Sequence, residues 1–589
     1  MRKNLMKRLT SMLLVSSMVV SLSGCGGGKK KDEVITLEVY SQTANYSGMQ
    51  AGWIADVLKE KLNVQLNIIP DGNGVYETRM EDGDLGDIVV WKNESDQYPD
   101  AVKNNMLYDW NEDDVLSEFG PYIKEHMQEA LKKNQELTSS ITDGERDTLY
   151  GFGYDVATSY AEHASFFYTW DVRWDLYKQL GYPEVKNLED FKKLMKDMVE
   201  LCPEDDSGNK TYAVSLWPEW DDAMVMYVKA MATAYYGYEE LELGLLDLET
   251  GKYHDALEEN GPYLEMLKFF NDLYQEGMLD PDSMTQNYEK MIAKVQNGGT
   301  MFSIFNYSGQ LAYNKPAHLQ EGKLMFCLRP EEATPIAYGM NPQGGDRIWT
   351  IGAKSEYPEK CMEVLNWLST PEGKMIETYG PKEICWNYDK EGNPYLTELG
   401  KECQKSKNTT KMGNGYKGTF QDGALQIVNT TWSLDARNPE GNGETYNYLN
   451  WKSTLDEEKT PIELDWREKT GCIGINDYME KSNYVLKPGT SYSKTPKEPE
   501  FRTTWSQVTN EIKNGSWKAM YAESDKEFDK IVNDMIKKCN KYGYDKCVEW
   551  SVKEGKKLIA LREEAMKKIE AEKKASADSN SDEEKEDAE

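Results

Sequence analysis

Between residues 34 and 91 the chain switches repeatedly between two hydrophobic periods, and this restricts its fold more than any other feature. Residues 34–40 alternate as a strand. Trp53, Ile54, Val57, Leu58 and Leu62 follow at helical spacing. A second strand over 64–69, a turn at 70–74 and a helix ending near Asp82 lead to a third strand, Gly86-Asp87-Ile88-Val89-Val90-Trp91, mostly β-branched. Strand, helix, strand, helix, strand implies an α/β layer with a largely parallel sheet. Ligands of such sheets lie beyond the carboxyl ends of the strands, which points to the loops 41–47 and 91–95.

Further along, residues 166–168 read as a strand entering a helix at 171–180, with another helix at 188–201. A strand at 212–216 runs directly into Trp217-Pro218-Glu219-Trp220. Helical patterns fill 221–236, 262–276 and 284–297, and a strand at 300–305 ends in Asn306-Tyr307-Ser308. A strand at 348–351 and a helix at 358–368 precede an irregular stretch, 380–510, rich in Gly, Asn and Thr. Two helices, 524–541 and 545–575, close the ordered chain, and the acidic segment 576–589 reads as a disordered tail. With 589 residues and no internal repeat, more than one core is required.

Acids outnumber bases by 102 to 69, a net charge of -33, which is the wrong sign for binding nucleic acid. A mean hydropathy of -0.74 excludes a polytopic membrane protein. The four histidines lie far apart and no cysteines are spaced CxxC, so neither a metal centre nor a redox pair is supported, and no cofactor is implied. Gly413-Asn414-Gly415-Tyr416-Lys417-Gly418 fits GxGxxG but lacks the strand and apolar helix that dinucleotide binding needs. Phosphate-loop, zincin and serine-elbow motifs are absent from the sequence. Asp221-Asp222 is the nearest approach to a glycosidase acid pair and reads better as a helix N-terminus. Tyr and Trp number 37 and 16 against 13 Phe, a bias towards rings with a polar edge that suits a partly wet cleft for a polar, ring-shaped ligand.

The N-terminus sets the expected compartment. Arg2, Lys3, Lys7 and Arg8 precede an apolar run that ends in Leu22-Ser23-Gly24-Cys25. This resembles a bacterial lipoprotein signal over 1–24, with Cys25 as lipid acceptor and 25–33 as a Gly/Lys tether. The expected location is the extracellular face of the cell membrane, most simply that of a Gram-positive cell, held by the lipid.

Several segments, in order, resemble the family 1 extracellular solute-binding proteins of bacterial ABC importers. Gly83-Asp84-Leu85-Gly86-Asp87-Ile88-Val89-Val90 is similar to the family's Gly-Asp-Leu-Pro-Asp-Ile strand, with Gly86 in place of proline. Phe166-Phe167-Tyr168-Thr169-Trp170-Asp171 looks like the strand that crosses between lobes, residues 288–305 like the returning segment, and Leu368-Ser369-Thr370-Pro371-Glu372-Gly373 like the family's Pro-Glu-Gly helix end. The resemblance implies an α/β, two-lobe periplasmic-binding-protein fold that closes on its ligand. It places crossings near 164–166, 305–308 and 370–373, an N-terminal lobe of 34–164 and 307–370, and a C-terminal lobe of 165–306 and 371–575. Larger members often hold calcium in an acidic loop. Here residues 203–210 lack the terminal acidic pair, so no metal is assigned.

The expected function is capture of an oligosaccharide, neutral rather than polyanionic, by a monomer that delivers it to ABC permease subunits without catalysis. A cell-surface glycosidase and a binder of peptide or another solute are the competing readings. A sugar ring needs flat aromatics for its C–H face and short polar groups for its hydroxyls. The candidates are Trp91 and Trp217 at strand ends, Trp220 just beyond, Asn45 in the first loop, Asn306 and Tyr307 at an expected crossing, Trp170 and Asp171 on the crossing strand, and Trp386 and Trp432 in the irregular region.

Overall fold

The computed structural model describes residues 34–586 apart from Asn73, Glu458 and Ser493, with side chains through Lys574. Residues 1–33, which hold the expected signal, Cys25 and the expected tether, lie outside the described residues. The first lobe is built on a six-stranded sheet in the order Gly48–Met49, Val64–Pro70, Ile35–Ser41, Ile88–Trp91, Ile348–Ile351, Gly151–Gly153. Ile35–Ser41 pairs in parallel with Val64–Pro70 and with Ile88–Trp91, the arrangement expected from residues 34–91. The late strand Ile348–Ile351 adds antiparallel to Ile88–Trp91 and makes the sheet mixed.

Pleating sends successive side chains to opposite faces. Ile88 and Val90 enter one core with Leu37, Val39 and Trp53, whereas Val89 and Trp91 enter a smaller one with Tyr40, Tyr76 and Tyr98. Both faces of the sheet are therefore covered. The second lobe centres on an antiparallel sheet ordered Phe302–Phe305, Tyr168–Arg173, Met325–Cys327, enclosed by the helices Leu188–Leu201, Met226–Tyr236 and Pro262–Gln275. Residues 212–216, expected as a strand, contribute single bridges at Tyr212 and Val214.

The first passage between the two main cores includes the expected crossing at 164–166, and the other two lie at different places from those expected. The chain leaves the first core after Val156 and enters the second at Phe166, returns between Ala337 and Trp349, and crosses again between Trp451 and Ile462. The first two passages pair side by side, with Ala164 N–H donating to Tyr338 O (2.9 Å) and Met340 N–H to Glu162 O (3.0 Å). Residues 305–308 are no crossing, because Tyr313, Leu324 and Cys327 after them still pack in the second core. Residues 370–373 are none either: Thr370 caps the helix Pro371–Tyr379, and Met375, Ile376 and Tyr379 bury in the first core. Residues 371–451 thus pack with the N-terminal lobe and 307–337 with the C-terminal lobe, the reverse of the expected division.

Two further expectations change. The irregular stretch leads into the helix Pro499–Met520, which turns Phe501, Trp505, Val508, Ile512 and Trp517 towards the second core. The expected acidic tail is helical to Glu586, in the helix Tyr544–Glu586. Its Ala, Glu and Lys favour helix and neither Gly nor Pro interrupts it after Gly555. Along that helix, Cys547 and Leu558 pack in the second core, while Ala565 and Ile569 sit on Tyr160 and Lys568 pairs with Glu129 of the first lobe (2.8 Å).

Candidate functional site

At the end of the strand Phe302–Phe305 the chain tightens into a 3-10 turn, Asn306–Ser308. Tyr307 lies stacked over Phe305 (centroids 5.1 Å, planes 22° apart) and near Phe167 (5.7 Å). The Trp217–Trp220 turn approaches from the side. Trp220 stacks on Tyr288 (4.7 Å, 25°) and reaches Tyr307 at 6.1 Å. Trp217 lies beneath, edge-on to Trp220 and Tyr288 at 5.3 and 5.4 Å, and its buried indole N–H has no partner among the described residues. The upper surface is open: Trp220 is 46% and Phe167 40% exposed. The product is an aromatic platform at a strand end of the second lobe.

Local chemistry holds this platform. Tyr288 is the first residue of the helix Tyr288–Gln296, capped by the Asn287 side chain accepting from Lys290 N–H (3.1 Å). Its own N–H donates to Glu219 Oε2 (3.2 Å), tying the helix start to the Trp217–Trp220 turn. Glu219 has no cationic partner among the described residues. Asp221, half of the candidate acid pair, accepts from Met226 N–H (2.8 Å) and Trp517 Nε1 (2.7 Å), and burial raises its pKa. It is a structural cap.

Asp171 lies below the 306–310 turn and is fully buried. It accepts from Gln310 N–H at 2.8 Å, and burial pushes its pKa up to about 8. Gly309 is required above it, because a Cβ there would stand 2.4 Å from Asp171 Oδ2. Asp171 therefore supports the turn from within and has no surface to offer a ligand.

Of the ten candidate ligand residues, Trp217, Trp220, Asn306 and Tyr307 come together here. Asn45 is exposed on the first lobe's loop. The remaining tryptophans are core residues. Trp91 is wedged edge-on between Tyr76 and Tyr98 and donates to Thr350 Oγ1 (2.9 Å). Trp170 packs against Phe191 and Phe302. Trp386 donates to Gly380 O (2.8 Å) and Trp432 to Ser369 O (2.5 Å), both inside the first core. Each has its polar edge satisfied or its faces enclosed, as a buried indole requires. Phe167 and Tyr288 were not foreseen. The signal available was slight: an aromatic directly after an Asn N-cap, and the middle residue of Phe166-Phe167-Tyr168.

Next to the platform, across the Phe166–Phe167 and Asn306–Tyr307 edge, a cavity of about 400 Å3 opens at the lobe junction. Its back wall is a polar knot between lobes. Asp435 accepts from Ser165 N–H (3.2 Å), Asn447 Nδ2 (2.8 Å) and Asn450 Nδ2 (3.1 Å), and Asn476 Nδ2 donates to Asn450 Oδ1 (3.3 Å).

The acidic loop at 203–210 is satisfied from within. Asp205 accepts from the Ser207 and Asn209 N–H groups and from Asn297 Nδ2. Asp206 meets His318 Nε2 (2.7 Å) and Lys323 Nζ (2.6 Å), bonds that hold its pKa below the usual carboxylate range against the opposing effect of burial. An ammonium group thus stands beside the carboxylate that a cation would need. Among the described residues no cluster of three or more His, Cys, Asp or Glu is arranged to hold a metal ion.

Residues 40–375 match the family described as bacterial extracellular solute-binding protein. The chain belongs to that family. The lipoprotein LipO of Bacillus subtilis (strain 168) is 24% identical over 245 residues, which is 40% of this chain and 42% of that protein, so the match spans less than half of the curated relative. The crystal structure of an extracellular solute-binding protein from Bifidobacterium longum subsp. infantis superimposes with a TM-score of 0.51 at 11% identity, covering 90% of this chain and 99% of that one. An N-glycan transport solute-binding protein, NgtS, from Streptococcus pneumoniae gives 0.47 at 15% identity, covering 90% and 99%. The family and the shared fold make this a two-lobed α/β solute-binding protein.

Proposed function

We propose that this protein captures an extracellular oligosaccharide between its lobes, without chemical turnover, and delivers it as a monomer to the membrane subunits of an ABC importer while anchored by lipid at Cys25. The exposed Trp220–Tyr288 stack beside Tyr307 carries the reading. A flat, half-open aromatic surface at a strand end in a solute-binding fold suits the C–H face of a pyranose, with Asn306 beside it and Asn45 as the first lobe's candidate contact on closure. Glu219, a carboxylate without a cation at the edge of the stack, favours a neutral sugar over a polyanion. The commitment of Asp221 to Met226 and Trp517 speaks against a glycosidase pair at this point.

Calorimetric titration of the chain lacking residues 1–25 with a panel of neutral and anionic oligosaccharides tests the proposal. Binding of at least one neutral oligosaccharide, recovered intact, is expected. Binding of none, or release of shortened sugars, refutes it.

A further inference from the structure

The cavity beside the platform has a different chemistry from the platform itself. Leu311, Leu449 and Ile473 are 69%, 54% and 51% exposed, and all three line it. They arrive from separate parts of the chain: the short helix after the Asn306–Ser308 turn, the approach to the third crossing, and the loop after the helix Pro461–Thr470. A single exposed aliphatic residue is ordinary. Three converging on one concavity at a lobe junction form an apolar wall left exposed by the described residues. Sugar hydroxyls gain nothing from such a wall.

Of the side-chain amides in the lining, Asn306 alone is free among the described residues. The Asn306 side-chain amide makes no hydrogen bond to a described residue and belongs to both the cavity and the platform turn. The amides of Asn450 and Asn476 are engaged in the inter-lobe knot. Lys459 and Arg467 also line the cavity, but they donate to the carbonyls of Thr454 and Leu455, and Glu463 and Asp477 line it too, so the lining has no net pull on an anion. The volume, about 400 Å3, lies at the small end of ligand pockets.

We propose that this cavity is a subsite for a sugar ring bearing an acetamido group, its methyl against Leu311, Leu449 and Ile473 and its amide paired with Asn306. This rests on the oligosaccharide reading and adds the class of sugar to it. The cavity meets the platform turn at Asn306, so in this proposal one ring stacks on Trp220 and another ring of the same chain occupies the apolar pocket.

The test compares triacetylchitotriose with cellotriose, which share linkage and ring shape and differ in the acetamido group that replaces one hydroxyl per ring. Both are titrated into the full-length protein in detergent micelles. The acetylated sugar is expected to bind about tenfold more tightly or better. The Leu449→Ser/Ile473→Ser double variant, altered only at exposed positions, should lose that preference, and Trp220→Ala should weaken both sugars. Equal affinity, a preference that survives in the double variant, or tighter binding of a glucuronate-terminated trisaccharide overturns the subsite. If neither trisaccharide binds but another neutral glycan does, the subsite falls and the oligosaccharide reading stands. If no glycan binds, the oligosaccharide reading falls and takes the subsite with it.

Discussion

Trp220 and Trp217 are three residues apart and touch each other, yet truncating them should have opposite consequences. Trp220 is half exposed, so Trp220→Ala gives up its ring contacts with Tyr288, Trp217 and Tyr307, of which the stack on Tyr288 is worth about 0.5–1.5 kcal/mol, and leaves little cavity. Its open face is the surface offered to the sugar. Losing a stacking anchor of this kind costs about 2 kcal/mol of binding, a roughly 30-fold rise in Kd. Trp217 is buried against Trp220, Tyr227, Tyr288 and Phe305, and Trp217→Ala should cost about 3–5 kcal/mol of stability. Calorimetric titration with the tightest neutral oligosaccharide, run alongside urea denaturation of each variant, separates the two effects. Normal binding by Trp220→Ala, or a stability loss equal to that of Trp217→Ala, would refute the assignment of the platform.

Asp171 gives a pH signature. Its folded pKa of about 8 stands above the ordinary carboxyl value of 3.8, so the folded state holds one more proton than the unfolded state between those values and stability falls as pH rises through that window. Asp171→Asn should flatten that decline, whose slope approaches roughly 1.4 kcal/mol per pH unit for one proton; urea midpoints from pH 4 to 8 measure it, and parallel curves would contradict it. Gly309→Ala places a methyl on the Asp171 carboxylate and should cost about 1–3 kcal/mol of stability and weaken sugar binding together, read by denaturation and titration. Cys25→Ala should release the protein into the medium or leave it unprocessed, as immunoblots of cell and medium fractions would show; a wild-type chain without lipid would contradict anchoring.

How far the sequence foretells this molecule depends on how local each cause is. The strand Ile88–Trp91 and its parallel neighbours follow from β-branched runs and helix spacing, which are local. That Trp91 points into a core is not local: it depends on the pleat and on Tyr76 and Tyr98 covering the second face. A tryptophan near the end of an extended segment is exposed only when nothing packs above it, and this holds for Trp220 and fails for Trp91 and Trp217. The expected crossings at 305–308 and 370–373 fail for a related reason. Thr370-Pro371 reads as a break in a helix, but the following Met375 and Ile376 return to the same core, and only tertiary packing shows that. The apolar cavity joins Leu311 to Leu449 and Ile473, which lie more than a hundred residues further along the chain, so no sequence window contains it.

The central claim is that a neutral oligosaccharide is held by closure of the two lobes. Small-angle X-ray scattering on the monomeric protein, with and without a saturating amount of a bound oligosaccharide, tests it most directly. A smaller radius of gyration with the sugar recovered intact is the expected result; an unchanged scattering profile at full occupancy would contradict it.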